Sequence, residues 1–243
     1  MAESLNDKVV LVIGASSGIG HATAEQFAQQ GAKVMASARR TERLLGLQEK
    51  LRSEGSPIEI HAADATRTAD MNRLAQETTK KLGRIEILVF ATGTNTPDRA
   101  MSRLNPDIWA MMINVNLNGA YYATQAVLPA MREARDGHLI YISSISGLTP
   151  DASGASYQAA KRGLVGFAHA VRLEEKENGI RTCVVCPGMV DTELLEKRPV
   201  KPSAETLKLI LQPEDVADAV IAVAKMPARV AIPELQILPA LVQ

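Results

Sequence analysis

The chain predicts an α/β fold, a layered sandwich of helices on both faces of a central, mostly parallel, seven-stranded sheet. Three observations carry the prediction: strand-like and helix-like segments alternate along the length, some strands are apolar without a break, and no repeat or linker divides the chain. Short β-branched runs at Val9 to Ile13, Lys33 to Ala36, Ile58 to His61, Ile85 to Phe90, Leu139 to Ile142 and Thr182 to Val185 read as strands. Between them, His21 to Gln30, Thr41 to Ser53, Asp70 to Leu82 and Ser156 to Glu177 have the length and amphipathic or Ala-rich composition of crossover helices. The continuous apolar character of Val9 to Ile13 fits burial on both sheet faces better than alternating exposure. With 243 residues, 46% of them hydrophobic, the chain is long enough for one sizeable core, so residues 1–243 read as a single domain.

Two stretches depart from the alternation. Asp191 to Gln212 mixes Leu194, Leu195, Pro199, Lys201, Pro202 and Leu207 and reads as a helical insertion bounded by turns, the natural place for a substrate lid. Val230 to Pro239 reads as a last strand whose two prolines suit a sheet edge or a subunit contact.

Composition excludes several functions. The 27 Lys and Arg balance 27 Asp and Glu and are spread along the chain, so the basic footprint of a nucleic-acid binder is missing and a small-molecule partner is expected. No apolar run is long enough to span a membrane, and the first residues lack a basic segment followed by an apolar one, so a soluble, cytoplasmic protein is expected. Cys183 and Cys186 have C-x-x-C spacing, but in the strand-like run Thr182 to Cys186 side chains three apart point to opposite faces. The histidines at 21, 61, 138 and 169 have no ligand spacing, and no metal site is expected.

Directly after the first strand comes Gly14-Ala15-Ser16-Ser17-Gly18-Ile19-Gly20, followed by a helix. Glycines at a strand-to-helix turn let backbone N–H groups approach a pyrophosphate, and the helix start adds unpaired donors and partial positive charge. The second strand ends in Ala36-Ser37-Ala38-Arg39-Arg40, where a site for NAD would offer a carboxylate to the ribose hydroxyls. Arg39 and Arg40, with Ser16 or Ser17, are suited instead to a 2′-phosphate. NADP(H) is therefore preferred, with NAD(H) use left open.

Tyr157 and Lys161 stand four apart and share one face of a helix. A neighbouring ammonium, helped by the positive charge of an oxidised nicotinamide, is expected to lower the phenol's pKa and let Tyr157 exchange a proton near neutral pH. Ser144 follows the strand Leu139 to Ile142 and is placed to hold a substrate oxygen where charge develops.

Together these motifs resemble the short-chain dehydrogenase/reductase family over nearly the whole chain. The resemblance rests on Gly14 to Gly20, Asp64, Gly93, Asn116 within Asn114-Val115-Asn116-Leu117, Ser144, Tyr157, Lys161, and Pro187-Gly188-Met189-Val190-Asp191-Thr192. It implies a Rossmann-type three-layer sandwich and a catalytic set of Asn116, Ser144, Tyr157 and Lys161. By that resemblance Tyr157 is the acid in carbonyl reduction and the base in alcohol oxidation, Lys161 lowers its pKa and binds the nicotinamide ribose, and Ser144 orients the carbonyl. Asn116 would hold a water between Lys161 and solvent, and Asp64 would meet the adenine. Val190 and Thr192, in the segment with Pro187 and Gly188, would contact the carboxamide and phosphates, while Gly93 lets backbone approach the cofactor. The chain departs from the family pattern in two places: Ile13 replaces a Thr, and Phe90-Ala91-Thr92-Gly93 replaces Asn-Asn-Ala-Gly, so the Asn side chains that brace the sheet are absent.

The Gln212 to Ala217 and Ile232 to Ile237 segments resemble NADP-dependent 3-hydroxy acid and serine dehydrogenases more than acyl-carrier-protein reductases, and the family implies a homotetramer or homodimer. The expected activity is hydride transfer between NADP(H) and a ketone or β-keto acid, or the reverse from the alcohol. A dinucleotide-sensing binding protein and an isomerase or dehydratase on the same fold are the alternatives. Met189, Leu194, Leu195 and the loop Gly147 to Pro150 are expected to give the pocket an apolar lining.

Overall fold

The computed structural model describes residues 2–242. Seven strands form one sheet: β1 (Val9–Ile13), β2 (Lys33–Ala38), β3 (Glu59–Ala62), β4 (Ile87–Phe90), β5 (Gly137–Ile142), β6 (Ile180–Pro187) and β7 (Glu234–Ile237). Their order is β3-β2-β1-β4-β5-β6-β7, and every pairing is parallel, beyond the mostly parallel sheet predicted. Among the described residues the α-helices are α1 (Gly18–Gln29), α2 (Thr41–Ser53), α3 (Thr68–Leu82), α4 (Pro106–Ile113), α5 (Gly119–Ala134), α6 (Ala155–Glu175), α7 (Ala204–Leu207) and α8 (Pro213–Ala224).

Strand alternation divides the core between the two faces of the sheet. Val10 and Val12 join one buried cluster with α1, α2 and α8; Val9, Leu11 and Ile13 join the other with α3, α5 and α6. Every residue of β1 is therefore buried, which is why its sequence does not alternate. Cys183 and Cys186 fall in different clusters, as two strand residues three apart must. β6 extends beyond the apolar run Thr182 to Val185 because Arg181, polar in sequence, keeps its place by donating to the Met226 carbonyl (2.8 Å) while Ile180 is buried.

The crossover from β4 to β5 contains the least regular helix. α4 starts cleanly, with Asn105 accepting from the Ile108 N–H (2.8 Å) and Pro106 in the first turn. It passes into a π-helical turn, Asn114–Asn118, before α5. Such turns shift the register of the helix and often mark functional sites.

The strand order reverses between β1 and β4, whose neighbours lie in opposite directions along the sheet. Open parallel sheets bind ligands at the carboxyl ends of strands beside such a switch point. Here a cavity of about 1250 Å³ opens there, walled by the loops that follow the strands. β7 occupies a sheet edge, and its prolines, Pro233 and Pro239, flank the strand instead of interrupting it. Among the described residues no helix is long and apolar enough to cross a membrane.

Candidate active site

At one end of the cavity the chain turns from β1 into α1. Gly14 has φ +101° and Gly18 φ +53°, in the left-handed region that glycine tolerates. A Cβ at Gly14 would lie 2.7 Å from the Ala91 carbonyl carbon and the Thr92 nitrogen, and one at Gly20 would lie 2.4 Å from the Gly14 oxygen. The turn is thus closed by backbone packed on backbone. No side chain caps α1, so its first N–H groups are left for a ligand. Gly14, Ser16, Ser17, Gly18 and Ile19 line the cavity, whereas Gly20 lies behind it and sets the turn's tightness. A turn closed at its glycines by main chain, with uncapped helix donors beside it, fits a dinucleotide pyrophosphate.

Arg39 and Arg40 both line this end. Arg40 donates to Ser16 Oγ through Nε (3.2 Å) and Nη2 (3.0 Å), and to Ser17 Oγ (2.7 Å). Its Nη1 donates to Glu193 (2.9 Å), a residue the sequence reading did not single out, and Arg43 pairs with the same carboxylate. Hydrogen bonds from Arg40 and Arg43 hold the Glu193 carboxyl below its usual range. Asp64 lines the cavity and accepts from the Thr66 N–H (3.0 Å) and hydroxyl (2.8 Å). Burial pushes its carboxyl up, but the Thr66 bonds with Arg39 and Arg67 pull it down further, so it remains a carboxylate.

The loop after β4 tests the departure from the family pattern. Phe90 is fully buried and packs beneath Gly119, where a Cβ would come within 3.0 Å of its ring. The Ala91 N–H still reaches the Ile13 carbonyl (2.8 Å), so backbone bonding joins β4 to β1 without Asn side chains. Gly93 lines the cavity, and a Cβ there would crowd Asn116 Oδ1 at 3.3 Å and Lys161 Nζ at 3.4 Å. Gly93 therefore marks the meeting point of two catalytic candidates.

Tyr157 and Lys161 project from the first turns of α6, and both are buried. The helical repeat puts Nζ 5.7 Å from the ring centroid of Tyr157. Nζ also donates to the Ile142 carbonyl (3.0 Å), which fixes the ammonium against the end of β5. Ser144, just past that strand, lines the cavity and accepts from the Ser146 N–H (3.2 Å). Asn116, in the π turn, is fully buried behind the wall and does not line it. Its Oδ1 accepts from Thr94 N–H (3.0 Å), while Nδ2 donates to the carbonyls of Thr94 (3.1 Å) and Met112 (2.9 Å).

Burial dominates the electrostatics of the pair. Burial pushes the Tyr157 phenol up to about 12; the Ser144 hydroxyl and the charges of Arg99 and Arg198 offset this only in part, and Asp151 opposes them. Burial brings Lys161 itself down to about 8, so it is still an ammonium at neutral pH. At neutral pH Tyr157 is a neutral phenol, the proton donor rather than the phenolate.

Pro187, Gly188, Val190 and Thr192 line the cavity at the end of β6. The Thr192 methyl sits against Gly18, where a Cβ would come within 3.0 Å. Val190 bridges to Leu211, and Asp191 N–H donates to the Leu211 carbonyl (2.8 Å), so residues 191–212 leave and rejoin the body at one point. Between lie a 3₁₀ helix, Glu193–Lys197, and α7.

Met189, Leu194, Leu195, Thr149 and Pro150 face the cavity as expected, but Gly147 and Leu148 do not. Gly147 is buried between Ser143 and the Lys161 carbonyl, and Leu148 packs on the core. Nor is the lining simply apolar: Arg99, Asp151, Lys197 and Arg198 also line it. They come from irregular loops without periodicity, and the only sequence signal was their position after the carboxyl ends of strands.

Comparison with known proteins agrees with this geometry. Residues 8–202 match the short chain dehydrogenase family model. An uncharacterized oxidoreductase of Staphylococcus saprophyticus is 34% identical over 239 residues, 97% of this chain and 98% of that protein. A 3-oxoacyl-(acyl-carrier-protein) reductase of Thermotoga maritima is 32% identical over 89% of this chain and 90% of that protein. Among solved structures, the closed form of serine dehydrogenase complexed with NADP+ matches with a TM-score of 0.87 at 34% identity, over 94% of both chains. Matched by the family model over most of its length and by relatives nearly end to end, the chain belongs to the short-chain dehydrogenase family and is a short-chain dehydrogenase/reductase enzyme.

Proposed function

We propose that the enzyme is an NADP(H)-dependent oxidoreductase that interconverts a ketone or β-keto acid and the corresponding secondary alcohol or 3-hydroxy acid. The observation that carries the proposal is the placement of Ser144, Tyr157 and Lys161 on the wall of the cavity that also contains the Gly14 to Gly20 cradle. When bound, the nicotinamide supplies or accepts the hydride. Tyr157 gives its phenolic proton to the carbonyl oxygen in reduction, and as phenolate takes it back in alcohol oxidation. Ser144 holds that oxygen, and Lys161, fixed on the Ile142 carbonyl, stabilises the phenolate that forms. Asn116 braces Thr94 behind this group, and the water it would hold between Lys161 and solvent is carried over from the family resemblance.

The 2′-phosphate reading is supported by Arg39 and Arg40 and by the cofactor of the serine dehydrogenase structure. Serine dehydrogenase and the acyl-carrier-protein reductase match at similar identity, so the 3-hydroxy acid assignment rests on the C-terminal segments. Residues 191–212 act as the lid, pivoting where Val190 meets Leu211. A homotetramer built through the long helices and β7 is supported by exposed Tyr121 on α5, Leu173 on α6, and Leu238 and Leu241 beyond β7.

The test is NADPH absorbance followed over a panel of ketones, keto acids and alcohols with both cofactors. Turnover is expected in the wild type, and Tyr157→Phe should lower kcat by about 10²- to 10⁴-fold while NADPH still binds. Undiminished turnover in that variant overturns the mechanism.

A further inference from the structure

We propose that Arg99, Lys197 and Arg198 form an anion subsite beside Tyr157, and that the substrate carries a carboxylate as well as its carbonyl or alcohol. This rests on the oxidoreductase reading above and narrows its substrate class.

Arg99 is the anchor. It follows β4 in the loop that begins at Ala91, lines the cavity, and is only 7% exposed. A guanidinium taken from water needs a compensating charge or a full set of hydrogen bonds. Among the described residues no carboxylate pairs with Arg99. Its Nε donates to the Thr96 carbonyl (3.0 Å) and one Nη2 to the Lys197 carbonyl (2.7 Å), leaving three of the five N–H donors unused. Burial and the nearby Arg198 both act against its charge.

Lys197 and Arg198 bring two more cations to the same place from the lid. Lys197 Nζ donates to the neutral Thr94 hydroxyl (2.6 Å), and Arg198 has no carboxylate partner among the described residues. Nearby cations are paired: Arg103 with Asp98, Lys201 with Glu196, and Arg40 and Arg43 with Glu193. Among the described residues, Arg99, Lys197 and Arg198 thus face the cavity without an ion pair, next to Lys161 and away from Arg39 at the other end. Asp151 is the acid at this end, and both its oxygens are engaged, by Ser146 Oγ (2.5 Å) and by the Ser153 N–H (2.8 Å).

The excess positive charge lies at the reacting end. Arg99 and Arg198 both line the cavity with Tyr157 and act on its hydroxyl against the single carboxylate of Asp151, whereas the cofactor's arginines, Arg39 and Arg40, stand beside the cradle. A planar guanidinium with donors free matches the two oxygens of a carboxylate. Because Arg99 holds the Lys197 carbonyl, an anion bound here would also draw Arg198 and the lid over the reacting carbon.

The experiment pairs kinetics with binding. Acetoacetate and methyl acetoacetate differ in charge and share the ketone; kcat/KM with NADPH is expected to favour the acid by about tenfold or more. Arg99→Gln and Arg198→Gln should each bring that preference toward unity, mainly through KM for the acid, while Arg198→Lys keeps most of it. Isothermal titration of the NADP+-loaded enzyme with malonate, which has no ketone, should give binding that Arg198→Gln weakens about tenfold, and dimethyl malonate should not bind. Equal turnover of acid and ester, or malonate binding unchanged in Arg198→Gln, overturns the subsite and leaves the oxidoreductase reading intact. Malonate binding without turnover of any ketone in the panel supports the subsite and overturns that reading. Inorganic phosphate binding more tightly than malonate overturns the carboxylate assignment.

Discussion

The two ends of the cavity are built by different means. At the cofactor end, backbone does the shaping: Gly14 and Gly20 close a turn in which added Cβ atoms would lie within 2.7 Å of neighbouring main chain. At the substrate end, side chains from irregular segments do it, with Arg99, Lys197, Arg198 and Asp151 brought together from residues separated by as much as 99 positions. Backbone shape tolerates almost no substitution and serves one ligand class. A side-chain wall changes specificity by exchanging one residue, so a single fold can act on many substrates.

Breaking the backbone side of this comparison should have the larger consequence. Gly20→Ala places a methyl 2.4 Å from the Gly14 oxygen, inside α1 and against rigid main chain, so the helix start must move. The expected result is a loss of NADPH affinity of about a hundredfold, with about 1–3 kcal/mol of destabilisation. Gly46→Ala is the control: it lies in α2 with nothing within 4 Å of the added Cβ and should leave cofactor binding alone. Fluorescence titration of NADPH and thermal melts separate the two. Unaltered affinity in Gly20→Ala would show that the tight turn is not what holds the pyrophosphate.

The same contrast decides what was legible in sequence. The cradle was readable because a backbone constraint leaves a residue-type signature: only glycine meets a φ of +101° and a 2.7 Å approach without strain. The Tyr157 and Lys161 pair was readable because the helical repeat fixes which residues share a face. β1 was readable in full because every residue in it is buried, while Ile180 and Arg181 were missed because an arginine bonded to the Met226 carbonyl looks like the end of a strand. The charged wall was not readable. Arg99 sits seven-percent exposed in a loop with no repeat, and its orientation depends on the carbonyls of Thr96 and Lys197, the latter far along the chain. Glu193 escaped for the same reason, since its partners Arg40 and Arg43 are distant in sequence.

Cofactor choice sharpens the comparison at the one place where side chains do the work at the cradle end. Arg39 lines the cavity without the serine contacts that hold Arg40. Arg39→Ala should raise KM for NADPH about 10- to 100-fold and leave KM for NADH nearly unchanged, since only the former has a 2′-phosphate to lose. Arg40→Ala should add a second effect, because it also frees Glu193 and the start of the lid from the Ser16 and Ser17 loop. Equal effects of Arg39→Ala on both cofactors would refute the 2′-phosphate assignment.

The mildest expected effect concerns pH, and its sign follows from the burial of Tyr157. Carbonyl reduction needs the phenol protonated, and a phenol pushed up to about 12 is fully protonated across pH 6–9, so kcat/KM for reduction should stay level there. Alcohol oxidation needs the phenolate, so its kcat/KM should climb with pH, by at most about tenfold per unit. Lys161 limits that climb. With its ammonium brought down to about 8, it loses the charge that stabilises the phenolate as pH rises further, and the oxidation profile should bend over. Lys161→Met should remove the bend and lower the oxidation rate below it, while reduction, which starts from the neutral phenol, suffers less. Measuring both directions over pH 6–10 tests this, and a reduction rate that fell between pH 6 and 8 would mean that the bound cofactor, not burial, governs the proton at Tyr157.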